Sequence, residues 1–343
     1  MNQATTPVVA LTLGDAAGIG AELIARLLGE PGITAQANIV LVGDAWLWQD
    51  GQTIAQRGVA TQPVASLAEV RKRPDQSLPA FLAVNTIRRD QVQRSQAQAA
   101  CGSAVLQVLD LCMDGTQRGE VDAICFAPLN KQAMKLGGLR YEDELHHFAE
   151  YLGVTGYFCE FNTLGDLWTA RVSSHIPLRD AAAMLSKERI VDATRLIYKS
   201  LQASGTTQPR VAVAAFNPHG GDGGSCGREE IDIIAPAVAE LRASGFAVDG
   251  PFPADTIFLK ARDGQYQAIV TMYHDQGQIA IKLLGFSRGV TVQGGLPVPI
   301  TTPAHGTAYD IAGKGMADVN ATLNAFNIAC RMGAARLQSQ TEI

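Results

Sequence analysis

No stretch of this chain stays apolar for the roughly 20 residues that a membrane-spanning helix requires. Runs such as Ala37 to Gly43 and Val211 to Phe216 end far short of that length. The N-terminal residues also lack the basic-then-apolar order of a secretory signal, so neither insertion nor export is expected. Basic excess is missing as well: 28 Lys and Arg stand against 33 Asp and Glu, a net charge of −5. That balance gives no broad positive surface for a phosphate backbone and argues against nucleic acid as a partner. The cysteines, Cys101, Cys112, Cys125, Cys159, Cys226 and Cys330, include no C-x-x-C pair and no framework spacing. Scattered thiols of this kind suit a reducing cytoplasm rather than a disulfide scaffold. What remains is a chain of 343 residues, 47% hydrophobic, which suffices for one large or two medium globular domains.

Short apolar, β-branched runs recur at Val8 to Leu13, Ala37 to Gly43, Phe81 to Val84, Val121 to Ala127, Leu167 to Val172, Val211 to Phe216 and Ala268 to Tyr273. Segments of helical period lie between them, at about 20–29, 94–118, 186–204 and 229–244. Strands apolar on both faces, alternating with helices, predict an α/β fold with mostly parallel sheets covered on each side. The polar stretch Gln49 to Leu78 reads as a surface excursion. Glycines, prolines and polar residues collect just after the strands, and in open α/β sheets that carboxyl edge is where ligands bind.

Of the six histidines, His146, His147, His175, His219, His274 and His305, the last four follow strands or stand in Gly/Pro-containing loops. One loop histidine is ordinarily a solvated or hydrogen-bonded side chain. Several at equivalent topological places raise a second possibility, because neutral imidazole is the commonest ligand for zinc and similar ions and a tri-histidine site leaves positions open for substrate. Spacing alone leaves both readings standing.

Three glycine-rich loops accompany these histidines. Gly14-Asp15-Ala16-Ala17-Gly18-Ile19-Gly20 follows a strand and opens a helix, where backbone N–H groups can receive an anion. Its spacing departs from the dinucleotide fingerprint, and Asp44 matches the expected ribose-binding acid only loosely, so a tight turn without ligand serves equally well. The loop from Asn217 to Glu230 holds so many glycines that close approach of backbone to a ligand is expected. A flexible hairpin would account for the glycines but not for the embedded His219 and Arg228. The third, His305-Gly306-Thr307-Ala308-Tyr309-Asp310-Ile311-Ala312-Gly313-Lys314-Gly315, combines an acid, hydroxyls and glycines ahead of the final helix and is fit to hold a polar ligand.

Together with Ala127-Pro128-Leu129-Asn130-Lys131, His175-Ile176-Pro177-Leu178-Arg179-Asp180, Pro253-Ala254-Asp255-Thr256 and Met272-Tyr273-His274-Asp275-Gln276-Gly277, these loops resemble the 4-hydroxythreonine-4-phosphate dehydrogenase family of vitamin B6 synthesis over nearly the whole chain. The His305 loop also resembles the nucleotide loop of isocitrate and isopropylmalate dehydrogenases, which bind NAD(P) without the glycine fingerprint. The resemblance implies a two-domain α/β/α fold of that type, with 1–128 plus 286–343 carrying the nucleotide loop and 129–285 carrying metal ligands and dimer contacts. It implies metal ligation by His175, His219 and His274, the third coming from the partner subunit, and hence a homodimer with a shared site. The ion is expected to be zinc, with magnesium, manganese and cobalt as alternatives. NAD or NADP is expected on His305, Gly306, Thr307, Asp310 and Asn320. Lys282 falls on the family's substrate lysine. Asp255 and Asp275 could orient a histidine or act as base. The implied reaction is oxidation of a β-hydroxy acid, with loss of CO₂ from the resulting β-keto acid.

Some substrate positions depart from the family. Its His-Thr-Glu appears here as Glu144-Leu145-His146, its substrate Asn as Thr291 and its Arg as Ile300. Charge-assisted hydrogen bonds to phosphate are worth about 1.5–3 kcal/mol each, and a carboxylate repels the group. The departures therefore point to weakened phosphate binding and a different β-hydroxy acid of the 4-hydroxythreonine-4-phosphate type, with a cis-dihydrodiol carboxylate of the terephthalate type or another unphosphorylated hydroxy acid as the alternative. Lys131, Arg140 and Arg288 are the cations that could instead take the phosphate over.

Overall fold

The structure, a computed structural model, describes residues 6–285 and 288–341. Its strands, in chain order, are β1 (Val8–Thr12), β2 (Asn38–Asp44), β3 (Gln62–Pro63), β4 (Ala80–Val84), β5 (Ala123–Phe126), β6 (Cys159–Leu164), β7 (Leu167–Arg171), β8 (Val211–Ala214), β9 (Val248–Phe252), β10 (Ala268–Thr271), β11 (Val290–Gly294) and β12 (Ile300–Pro303). The α-helices are α1 (Gly20–Leu28), α2 (Ala45–Ala55), α3 (Ala99–Gln117), α4 (Lys131–Leu136), α5 (Glu144–Tyr151), α6 (Lys187–Ala203), α7 (Ala235–Ala243), α8 (Ile257–Arg262), α9 (His274–Gly285) and α10 (Asn320–Thr341). The chain forms two compact units. One runs to Thr155 and resumes at Leu296; the other is Gly156–Gly295.

In the first unit the strands lie in the order β3-β4-β2-β1-β5-β12, and every pairing is parallel. All residues of β1, β2 and β5 are buried, as expected when helices cover both faces of a parallel sheet. Side chains of α3 (Leu109, Met113) and α5 (Phe148) join Val40, Ile124 and Ile300 in one core. Each fully buried side chain of this size contributes about 1.5–3 kcal/mol.

The expected boundaries at 128/129 and 285/286 differ from those observed, and residues 286 and 287 lie outside the described residues. The first boundary moves because α4 and α5 belong with the first sheet: Met134, Leu139 and Phe148 are core residues there, and Phe148 meets Phe126 edge-on with centroids 5.9 Å apart. Gly102 of α3 is required for this, since a Cβ there would collide with the Ala133 carbonyl. Nor is 49–78 a simple surface excursion. Helix α2 occupies its start, and Leu67 and Val70 enter the core, with Asn38 Nδ2 donating to the Val70 carbonyl at 3.1 Å.

The second unit orders its strands β11-β6-β7-β10-β8-β9. Pairings are parallel from β7 to β9 and antiparallel on both sides of β6. Strands β7, β10 and β8 are adjacent and parallel, so the segments leaving Arg171, Thr271 and Ala214 emerge from one edge. His175, His274 and His219 lie just beyond those strand ends. No helix of the described residues is long and apolar enough to cross a membrane.

Candidate active site

The exits of β7 and β10 run together. The Val172 N–H donates to the Thr271 carbonyl at 2.9 Å, and the Ser173 N–H and Oγ both donate to the Met272 carbonyl, at 3.2 and 2.9 Å. This pairing brings the His175 and His274 rings to a centroid distance of 5.7 Å, tilted by 43°. His274 opens α9, and its Nδ1 is 2.7 Å from Asp275 Oδ1, which leaves Nε2 as the nitrogen for an outer ligand. Ser174, His175, Leu178, Tyr273, His274 and Asp275 are among the residues lining a cavity of about 260 Å³.

His219 stands in the loop after β8, where the backbone from His219 to Gly223 is left-handed throughout, with φ of 52° at His219 and 45° at Asp222. Non-glycine residues so held cost about 1–3 kcal/mol each, and the surroundings must enforce them. Glu230, buried behind the loop, anchors the start of it. Its Oε1 accepts the N–H groups of Phe216 and Asn217 at 2.8 and 2.7 Å, and its Oε2 accepts Asn217 Nδ2 at 3.0 Å. Burial works to raise the Glu230 pKa, but the hydrogen bonds from Asn217 and Phe216 prevail and hold it below the usual value. Gly221 packs against Glu230 and Gly227 against Asn217, with no room for a side chain. Gly221 thus makes room for the buried carboxylate and Gly227 for the Asn217 amide bonded to it, while Gly220 and Gly223 border open space.

The His219 side chain is 73% exposed, with Nδ1 3.4 Å from Asp222 Oδ2. It lines a second cavity, of about 550 Å³, together with Asp255, Phe216, Tyr273 and Asp275. Tyr273 and Asp275 border both cavities. Gln276 ties the two exits together: its Oε1 accepts the Met272 N–H at 2.8 Å and its Nε2 donates to the Ala215 carbonyl at 2.9 Å. Within this unit, among the described residues, no three His, Cys, Asp or Glu side chains bring ligand atoms within 4.8 Å of one another. One chain therefore pairs His175 with His274 and keeps His219 in the neighbouring cavity. Lys282 is exposed further along α9, on the face that also carries His274 and Gln278.

The substrate positions divide. Thr291 is on β11, buried, and its Oγ1 accepts Asn162 Nδ2 at 3.3 Å. Glu144 is the first residue of α5, buried, with Lys131 Nζ 3.9 Å from its Oε2. Leu145 and Ile300 are 3% and 0% exposed, packed inside the first unit, and offer no surface to a ligand. Their apolar character drew them into the core. Arg140 and Arg288 are exposed.

The residues expected to carry the nucleotide are held by the first glycine loop. The Thr307 carbonyl accepts the Ile19 N–H at 3.2 Å, and a Cβ on Gly18 would stand 2.9 Å from Thr307 Cβ. Tyr309 donates its hydroxyl to Asp15 Oδ2 at 2.6 Å, and Ser95 Oγ donates to the Tyr309 carbonyl at 2.6 Å. Arg26 and Glu22 of α1 bond the Gly315 carbonyl and the Ala317 N–H. Burial raises the Asp15 pKa against the opposing bonds from Tyr309 and Ala17, and burial together with Asp15 raises that of Tyr309. The glycines of the Gly14 loop admit the chain's own residues: Gly14 stands against Ala127 and Pro128, Gly18 against Thr307 and Gly20 against Leu13. His305 Nδ1 lies 3.0 Å from the Gly306 carbonyl, Gly306 and Asp310 are exposed, and Asn320 opens α10 with both its N–H and Nδ2 on Asp318.

Arg171, Glu230, Gln276 and the Asp15–Tyr309 pair escaped the sequence reading. Arg171, a charge at the end of an otherwise apolar run, was the one visible signal.

The sequence model of the family described as pyridoxal phosphate biosynthetic protein PdxA matches residues 35–329. The chain is 52% identical over 335 residues to a Pseudomonas aeruginosa protein provisionally named 4-hydroxythreonine-4-phosphate dehydrogenase 2, covering 97% of this chain and 99% of that one. It is 36% identical over 312 residues to the D-threonate 4-phosphate dehydrogenase of Salmonella typhimurium, covering 91% and 94%. The crystal structure of 4-hydroxythreonine-4-phosphate dehydrogenase from Klebsiella pneumoniae superimposes with a TM-score of 0.82 at 32% identity, over 97% of this chain and 99% of that one. Matched over nearly its whole length by named dehydrogenases, the chain is an oxidoreductase and belongs to the PdxA family.

Proposed function

We propose that this chain is a divalent-metal-dependent NAD(P) dehydrogenase that oxidises a β-hydroxy acid of the 4-hydroxythreonine-4-phosphate type, with decarboxylation of the β-keto acid formed. The observation that carries the reading is the opposition of His175 and His274 across a cavity, with Asp275 on Nδ1 of His274. The residues fit an ion on the chemistry of the donors: two imidazoles face one another, one of them backed by a carboxylate as metal-binding histidines commonly are. His175 and His274 lie together on one chain, so the ligand taken from the partner copy is here His219, on its exposed loop, rather than the expected His274, and the working unit is a homodimer. Bound there, a zinc or similar ion supplies a Lewis acid for the substrate hydroxyl, and a nicotinamide supplies the hydride acceptor.

The chain's own residues supply the rest. Asp275 fixes the His274 tautomer, and Tyr273 and Gln276 hold the two loops in register. Asp255, exposed in the His219 cavity, is placed to take the hydroxyl proton, and Lys282 to neutralise the substrate's carboxylate. The loop from His305 to Gly315, clamped by Asp15, Glu22 and Arg26, holds the nucleotide, with Asp310 and Asn320 at its exposed edge. Relatives named for 4-hydroxythreonine 4-phosphate and D-threonate 4-phosphate support a phosphorylated hydroxy acid as substrate.

A second reading, an unphosphorylated hydroxy acid or cis-dihydrodiol carboxylate, is favoured by the Glu144 carboxylate, which would repel a phosphate. A nicotinamide-reduction screen separates them, with added zinc or magnesium, over both 4-phosphates, their unphosphorylated forms and cis-dihydrodiol carboxylates. Chelator-sensitive reduction with a 4-phosphate is expected. Reduction that survives chelation would refute the metal, and preference for unphosphorylated acids would install the second reading.

A further inference from the structure

We propose that Arg171 is a positioning residue for the His175–His274 pair, acting through a buried polar network under both loops; the proposal rests on the metal reading above. Arg171 ends β7 and is 6% exposed. Its Nη2 donates to Glu160 Oε2 at 2.8 Å, its Nη1 to Asn162 Oδ1 at 2.6 Å and its Nε to Ser174 Oγ at 2.9 Å. Ser174 immediately precedes His175, so the guanidinium reaches one end of the pair directly. The other end is reached in two steps. Asn162 Oδ1 also accepts Gln278 Nε2, and Gln278 lies one helical turn beyond His274 on the same face of α9. Asn162 in turn donates to Thr291, whose strand pairs with β6 at that residue.

Three donors of one planar group thus fix the relation between β6, the His175 loop and, through Asn162, the helix that begins with His274. Packing alone does not require this. Apolar residues of similar volume commonly replace a buried ion pair at no loss of stability, whereas its directional bonds are lost with it. A guanidinium is also the one cation whose fixed fork can serve three acceptors at set angles; an ammonium at the same place cannot. Partners behind metal-binding histidines typically change metal affinity 10–100-fold when removed.

The test uses the full-length protein with Zn²⁺ and Co²⁺ as probes. Arg171→Lys keeps the charge and loses the fork. The double variant Arg171→Met/Glu160→Leu removes the fork without leaving a buried charge, and Ser174→Ala cuts only the link to His175. Calorimetric Zn²⁺ affinity and the visible spectrum of bound Co²⁺ are read beside the thermal midpoint. Expected are a 10–100-fold loss of affinity and an altered Co²⁺ spectrum in Arg171→Lys and the double variant, with midpoints near wild type, and a smaller loss in Ser174→Ala. Wild-type affinity and spectrum in the folded double variant overturn the proposal, provided His274→Ala abolishes both. If wild type and His274→Ala bind alike, the metal reading itself fails and the proposal falls with it.

Discussion

The strands of the two units bury their faces by opposite means. In the first unit β1, β2 and β5 set Val, Ile, Leu, Ala and Phe on both sides and leave nothing to solvent. In the second, β6, β7 and β11 place Glu160, Asn162, Thr169, Arg171, Thr291 and Gln293 on a single face, as the registers Asn162↔Thr169, Thr291↔Asn162 and Gln293↔Glu160 require. Of these, Thr169, Arg171, Thr291 and Gln293 are less than 9% exposed. An apolar face asks only for volume and shape. A buried polar face costs desolvation and returns direction, since every donor must find an acceptor at a set angle. The polar face lies beneath the histidine loops.

That contrast breaks first at Arg171. Replacing it alone by Met strands Glu160, whose side chain is 14% exposed, and should lower the unfolding free energy by about 3–5 kcal/mol, whereas the double change with Glu160→Leu should return to within about 1 kcal/mol of wild type. Urea titration of both variants decides it, and equal losses in the two would show that the face is held by packing. On the apolar side, Leu41→Ala in β2, a fully buried position, should cost about 2–5 kcal/mol while the Zn²⁺ affinity of the folded fraction stays at the wild-type value. A parallel fall in affinity would mean that the two sets of strands do not divide their tasks.

The same contrast explains what the sequence disclosed. Runs such as Val8 to Leu13 and Ala37 to Gly43 announce themselves because burial on two faces leaves only apolar letters, and α6 appears from its period. Strands β6 and β11 were invisible: Glu160 and Asn162, or Thr291 and Gln293, read as surface until the cross-strand register shows them facing one another. The histidines were legible as strand-exit residues, but their division into an opposed pair and an outlying third was not, because it depends on Ser173 bonding Met272 across a hundred residues of chain. The Asn217 to Glu230 loop was read as a ligand cradle. Two of its glycines answer to Glu230 and to the Asn217 amide it holds, Gly221 and Gly227, and those hydrogen bonds no spacing rule reveals.

Glu230 supplies the next test, since it is a polar group buried for local order. Its pKa is lowered in the fold, so its contribution is present at neutral pH, above the unfolded value, and is lost as pH falls through the folded one. Limited proteolysis between 216 and 230 should therefore accelerate on acidification. Glu230→Gln should show the fast rate already at pH 7, with a loss of about 1.5–3 kcal/mol and a flattened pH dependence. A slow, pH-independent wild-type loop would remove Glu230 as its anchor.

The smallest effect, and the one of opposite sign, belongs to Gln293. Its side chain is 2% exposed, and neither amide atom has a hydrogen-bond partner, although Glu160 stands opposite on β6. A buried amide left so carries a desolvation cost that no bond offsets, so Gln293→Leu, nearly equal in volume, should raise stability by about 1 kcal/mol, a shift of a few degrees in the thermal midpoint. If the polar face exists for direction, this one member without a directional bond is also the one whose removal leaves Zn²⁺ affinity untouched. A fall in the midpoint would show that the amide is satisfied in solution and belongs to the network. A fall in affinity at an unchanged midpoint would carry the network two residues beyond Thr291, toward the end of β11.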